Sequence, residues 1–235
     1  MGQLWRYPVK SLVGERVAAV EIDARGVVGD RLWSVRDEDG KFGSGKSTRR
    51  FRRMDGLLEL SATYAGDVPV ISFPDGRSFR ADDEGFDAAL SAHVGRTVSL
   101  GKETTISHFD EGPLHVLTEG SQAQIGRALG RDVDPRRLRP NIVVATESGP
   151  GLPEDRWIGS HVAVGDRVVL AIRVGMTRCV MVDLPQIGLG REGGILKGIA
   201  EFNDSRLGVV ADVIRGGVVR EGDPIRVMAQ AREAG

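Results

Sequence analysis

Residues 40–48 read GKFGSGKST, and the reading of this stretch decides the fold. Gly40 to Ser47 satisfies G-x-x-x-x-G-K-[ST], the phosphate loop of nucleotide hydrolases. A working phosphate loop leaves a buried strand and opens a helix of a parallel sheet, so that the nucleotide phosphates meet the helix N-terminus. Here the preceding segment ends in Asp37-Glu38-Asp39, three carboxylates where a triphosphate would sit. The following TRRFRRM (48–54) is too polar for a helix buried against a parallel sheet. Val180-Met-Val-Asp183 could stand for the partner aspartate strand, but three apolar residues and an Asp are a common pattern. The stretch therefore reads as a glycine-rich turn between two strands of an N-terminal β domain, with a phosphate-loop hydrolase as the remote alternative.

The surrounding sequence supports a mainly β fold. β-rich runs bounded by Gly, Pro or Asp occur at 16–23, 30–37, 67–73, 96–100, 139–146, 161–174, 207–215 and 223–229. VGDR (164–167) reads as a turn or bend inside its run. Helical spacing is confined to 82–95, 121–130 and 193–202; the second opens with Ser121 and Gln124 in capping-box register and stops at Gly130. Strands without regularly alternating helices predict a mainly β, α+β chain, a β-barrel or sandwich with the helices as decoration. A composition break over 101–113 divides it into a smaller N-terminal β domain, 1–103, and a larger C-terminal one, 104–235.

Composition excludes several classes. The 235 residues carry a formal charge of −1, so nothing global steers the chain to nucleic acid or an anionic membrane. No apolar run approaches the ~20 residues of a membrane span, and the N-terminus lacks the apolar stretch of a signal peptide. These features predict a soluble cytoplasmic protein. The single cysteine, Cys179, allows no internal disulfide and no iron–sulfur cluster of four thiolates.

Two features carry chemistry. Lys46, Arg49, Arg50, Arg52 and Arg53 are five cations within eight residues, interleaved with Phe51 and Met54. In an extended chain Arg50 and Arg52 share one face, and Arg49 and Arg53 the other. Arginines that point inward need an anion, and the guanidinium fork suits phosphate. Cys179 follows Arg178, and a neighbouring cation favours the thiolate, a ligand for soft metals or a nucleophile. A buried, inert thiol is the competing reading, and a Cys–His pair with His108 or His115 stays open. His93, His108, His115 and His161 show no zinc-ligand spacing, and no G-x-S-x-G elbow is present.

In combination, YPVKS (7–11), GVVGDRLWSVRDEDGKF (26–42), PLHVLTEGSQAQI (113–125), DVDPRRLRPNIVV (132–144), EDRWIGSHVAVGD (154–166), TRCVMVDL (177–184) and REGDPIRV (220–227) resemble the MOSC family, with its N-terminal β-barrel domain. The resemblance runs along nearly the whole chain and implies a molybdenum–pyranopterin cofactor. It assigns Cys179 as the thiolate ligand to molybdenum, with Arg178 beside it tuning the charge. It assigns Lys10, Ser11, Arg31, Arg139 and Asn141 to the pterin and its phosphate, together with Arg49 or Arg50, whose register is ambiguous because GSGKS departs from the family's short turn. Asp110 and Glu111, before PLHVLTEGS, match a further cofactor-contacting segment, and the helix N-terminus after Thr118 would add its dipole. The implied activity is reduction of small N-hydroxylated substrates such as amidoximes and hydroxylamines. Electrons would come from a separate ferredoxin- or flavoprotein-like partner, since the only cysteine is already assigned. A non-catalytic carrier of the cofactor or of sulfur uses the same residues and is the alternative.

Overall fold

A computed structural model of the chain describes residues 1–147 and 149–228. Ala229, the last residue of the strand expected at 223–229, lies outside them.

Among the described residues the fold is mostly β with three α-helices, arranged around a large mixed sheet. From edge to edge that sheet runs Ile225–Met228, His161–Val164, Val168–Thr177, Arg206–Arg215, Leu114–Thr118, Ile142–Val144, Gln3–Arg6 and Glu15–Val17. The Leu114–Thr118 strand is central and buried at all five positions. The turn expected at 164–167 joins the antiparallel pair of His161–Val164 with Val168–Thr177. Two smaller sheets follow from the N-terminal half: Val98–Lys102, Trp33–Asp37, Phe42–Ser44 and Phe51–Arg53 in one, and Ser78–Arg80, Val68–Ser72 and Ser61–Ala65 in the other. The run 16–23 does not form one strand. Glu15–Val17 pairs with Gln3–Arg6, whereas Ala19–Asp23, with Val20 and Ile22 inward, pairs with Gly217–Arg220. The start of the chain is thus hydrogen-bonded to strands from its second half.

Helix α1 spans Phe86–Val94 and helix α2 spans Glu119–Leu129. Helix α2 starts two residues before the expected 121, because Thr118 rather than Ser121 is the cap: its Oγ1 accepts from the Ser121 N–H at 3.1 Å. Helix α3 spans Ile195–Asn203. Three apolar clusters hold these layers together. One fills the large sheet (Leu4, Ile22, Leu114, Val116, Ile142, Leu170, Val209). One lies under the N-terminal sheets (Val9, Leu12, Val35, Ile71, Phe86, Leu90). One sits beneath α2 and α3 (Leu117, Ile125, Leu138, Val182, Ile199, Leu207). Burial at this scale is the main term stabilising such a fold.

The opening stretch makes a hairpin and no phosphate loop. Gly40 takes φ 73° in the turn from Trp33–Asp37 into Phe42–Ser44, a left-handed conformation that suits glycine. Residues 46–50 open no helix; the strand Phe51–Arg53 follows and runs parallel to Phe42–Ser44. Asp37 and Asp39, at the supposed triphosphate position, receive Arg52 at 2.8 and 2.6 Å; burial pushes the Asp37 carboxyl up, but the Arg52 bond and the Lys41 and Asp39 N–H groups outweigh it and hold it below its ordinary range.

Candidate functional site

Five loop segments, and Lys46 after the Phe42–Ser44 strand, converge on one cleft enclosing about 870 Å³ of atom-free space, part of it open to solvent. Each segment leaves or enters an element named above. Residues 10–11 follow the Gln3–Arg6 strand, and Arg31 lies in the turn before Trp33–Asp37. Residues 109–112 precede Leu114–Thr118, residues 137–141 precede Ile142–Val144, and residues 176–182 close Val168–Thr177. His115 adds a side chain from within a strand: its neighbours Leu114 and Val116 enter the sheet core, while His115 lines the cleft.

The lining is strongly cationic. Lys10, Arg31, Lys46, Arg137, Arg139 and Arg178 face it, against the carboxylates of Asp110 and Glu111. Lys10 is buried; its Nζ donates to the His108 carbonyl and to Asp110 Oδ1, both at 2.8 Å. Burial pulls its pKa from 10.5 to about 8, although Asp110 acts in the opposite direction. Arg31 pairs with the fully buried Asp30 and reaches the Arg139 carbonyl at 3.4 Å. Burial disfavours its charge, but Asp30 outweighs burial and holds Arg31 above the ordinary arginine value. The guanidinium carbons of Arg31 and Arg139 lie 4.7 and 4.4 Å from the centre of the Tyr7 ring, a cation–π arrangement that holds two like charges close together. Tyr7 in turn donates its hydroxyl to the Pro140 carbonyl at 3.1 Å.

Ser11, Arg31 and Arg139 have φ of 66°, 49° and 52°. Left-handed backbone at non-glycine residues costs about 1–2 kcal/mol each, and such strain concentrates at ligand sites. The shortening of the expected strand 139–146 to Ile142–Val144 follows from the turn at Arg139. Asn141 is buried and keeps the segments in register: its Oδ1 accepts from the His115 N–H at 3.1 Å, and its Nδ2 donates to the Trp5 carbonyl at 3.4 Å.

Cys179 lies half-buried at the end of the Arg178 segment, on a small apolar cluster of Leu58, Met181 and Leu184. Arg178 donates to the Leu138 carbonyl at 2.6 Å. Burial lowers its pKa to about 10, with Cys179 and Glu111 acting in the opposite direction. Glu111 Oε2 accepts from the Thr177 N–H at 3.2 Å.

The cleft has unsatisfied donors. Arg139 Nη1 and Nη2 and Arg178 Nε are shielded from solvent and have no hydrogen-bond partner. Burial also brings Arg139 down to about 10. Leaving buried donors unpaired costs roughly 1–3 kcal/mol each, a cost that an anion in the cleft removes. The surplus of guanidinium groups suits a phosphate dianion, and the half-buried thiol suits a soft metal. The residues present fit a phosphorylated, metal-bearing cofactor.

Not every residue picked from the sequence lies here. Arg49 is exposed and lines no part of the cleft. Arg50 stands one layer back, donating to the carbonyls of Phe109 (3.0 Å) and Ser107, so that it holds the segment that presents Asp110. Thr118 is buried away from the cleft, its hydroxyl donating to Glu154 Oε2 at 2.6 Å. A protein carboxylate therefore occupies the N-terminus of α2, and burial raises the pKa of Glu154. Arg52 and Arg53 spend themselves on Asp37, Asp39 and Asp55. Conversely, no motif or spacing marks Arg137, which is fully buried. It was one of three arginines in RRLR, and only the turn Pro135–Leu138 decides which of them points inward.

The description "MOSC N-terminal beta barrel domain" matches residues 1–107, and "MOSC domain" matches residues 96–226. Mitochondrial amidoxime-reducing component 1 of Mus musculus is 26% identical, with 98% of this chain and 82% of the relative aligned. Mitochondrial amidoxime reducing component 2 of Bos taurus is 24% identical, over 98% and 83% of the two chains. The crystal structure of the YuaD protein from Bacillus subtilis superposes with a TM-score of 0.52 at 15% identity, covering 97% of this chain and 94% of that one, a likeness of fold.

Proposed function

The chain belongs to the MOSC domain family, and on that premise we propose that it is a molybdenum-cofactor-dependent reductase of N-hydroxylated compounds. The observation that carries the reading is the pairing of unpartnered Arg139 and Arg178 donors with the Cys179 thiol in one cleft. The relatives named for amidoxime reduction support this choice of substrate class.

In this reading Lys10, Arg31 and Arg139 hold the cofactor phosphate and pterin, with Ser11 and Asn141 shaping the backbone around them. Cys179 supplies the thiolate to the metal, and Arg178 neutralises part of its charge. The cofactor, when bound, supplies two-electron chemistry. Reduction of an amidoxime takes up two electrons and two protons, breaks the N–O bond and releases an amidine and water. The chain's own part is to orient and to hold protons: Lys10 Nζ keeps its proton up to about pH 8, and Asp110, burial notwithstanding, stays ionised beside it. Electrons come from a separate donor, a ferredoxin- or flavoprotein-like partner. Among the described residues no helix is long and apolar enough to cross a membrane.

The test is turnover of an amidoxime by protein made in a host that produces the cofactor, with a reduced viologen dye as donor. Turnover that is lost in Cys179→Ser supports a reductase. A cofactor-loaded protein with no turnover is a carrier, and full activity in Cys179→Ser removes Cys179 from the site.

A further inference from the structure

A second cleft lies against the cofactor cleft. The geometry points to it as the binding site for the apolar, aromatic body of the N-hydroxylated substrate; the inference rests on the reductase reading above. Ser11 and Met181 line both clefts. The walls of the second are Met54, Leu57, Leu58, Met181, Leu184 and Pro185, so it spans the seam between the N-terminal sheets and the Cys179 segment. Cys179 itself packs on Leu58, Met181 and Leu184. A molecule in the second cleft therefore lies one side chain away from the proposed metal ligand.

The chemistry of the walls selects the occupant. The cleft has a cavity volume of about 200 Å³, room for a single ring and too little for a protein segment. Two thioethers among aliphatic walls adapt to a flat ring and favour sulfur–aromatic contact. Charge is kept to the mouth, where Arg53 is paired with Asp55 at 2.8 Å and Glu59 and Arg191 stand exposed.

The inserted GSGKS turn joins the two sites. Gly45 faces the second cleft and Lys46 the cofactor cleft. A Cβ at Gly45 would stand 2.4 Å from Leu184 Cδ1 and 3.1 Å from Met181 Cγ, so a side chain here would displace Leu184 from its place in the wall. The phosphate-loop-like glycine thus serves a packing contact beside the substrate path.

The experiment compares benzamidoxime with hydroxylamine, which has no apolar body, using cofactor-loaded protein and a reduced viologen donor. Glu59→Trp and, independently, Arg191→Trp obstruct the mouth from exposed positions. The ratio of kcat/KM for benzamidoxime to that for hydroxylamine is expected to fall about tenfold, the scale of one lost ring burial. In parallel, benzamidine at millimolar concentration is expected to shift the methyl NMR signal of Met54, which lines only the second cleft. An unchanged ratio in both folded variants, or an unmoved Met54 signal, overturns the inference. If wild-type protein reduces neither compound while Met54 shifts, the reductase reading falls and the cleft's ligand assignment stands.

Discussion

Arg137 Nη1 donates to the Leu184 carbonyl at 2.9 Å, and this bond ties the turn that presents Arg139 to the turn that presents Cys179. Arg178 returns the tie by donating to the Leu138 carbonyl. Two segments separated by forty residues are thereby locked at the distance the cleft requires. Arg137→Met leaves the Val182, Leu184 and Gly190 carbonyls without this donor and Glu192 without its buried partner. Loss of about 3 kcal/mol is expected in urea unfolding, with Arg137→Lys recovering part of it.

Lys10 sets a pH window. Its pKa is about 8 when folded and 10.5 otherwise, so between these values the unfolded chain binds more protons and stability rises with pH. Anion binding responds in the opposite sense, because the cation is lost above pH 8. Phosphate affinity of the cofactor-free chain, measured by calorimetry, is expected to fall between pH 7 and pH 9, and the fall is expected to flatten in Lys10→Arg.

His108 works at the acid end. Its Nδ1 lies 3.0 Å from the Arg31 carbonyl and its Nε2 3.0 Å from Arg36; with Nδ1 donating, Nε2 is free to accept. Burial lowers its pKa from 6.5 to about 4. Below pH 6.5 the unfolded chain takes the proton first, so this contribution is lost as pH falls towards 4. A His108→Gln chain is expected to show a flatter decline in unfolding midpoint over that range.

Arg139 trades stability for binding. Arg139→Gly relieves a left-handed residue and removes two unpartnered buried donors, at the loss of its contact with Tyr7. The cofactor-free variant is expected to unfold within about 1 kcal/mol of wild type, while its molybdenum content after purification drops severalfold. A variant that keeps its molybdenum contradicts the phosphate role.

Arg49 and Arg50 are expected to separate. Arg50 anchors the segment bearing Asp110 through the carbonyls of Ser107 and Phe109, whereas Arg49 is exposed. Arg50→Ala is expected to lower molybdenum retention and Arg49→Ala to leave it within about twofold, as is usual for a surface change.

Much of this was legible in the sequence, unevenly. Alternation and turn residues marked strands such as Val68–Ser72 and the run 161–174 with its turn at 164–167, which folds as the hairpin of His161–Val164 and Val168–Thr177. They missed Gln3–Arg6 and the central Leu114–Thr118 strand, which is buried on both faces and shows no alternation. Motif order pointed to Lys10, Arg31, Arg139, Asn141, Arg178 and Cys179, which the fold brings to one cleft although they are spread over most of the chain. Local sequence could not separate Arg49 from Arg50, nor find Arg137, because partners such as Phe109 and Leu184 are chosen by tertiary packing. Thr118 looked like an anion-facing helix start, but Glu154, thirty-six residues on, occupies that position.

The most direct measurement is molybdenum by elemental analysis on protein purified from a cofactor-competent host. The account predicts near-stoichiometric molybdenum in wild type and its loss in Cys179→Ala with the fold intact. Wild-type protein without molybdenum, or a Cys179→Ala protein that retains it in full, would contradict the account.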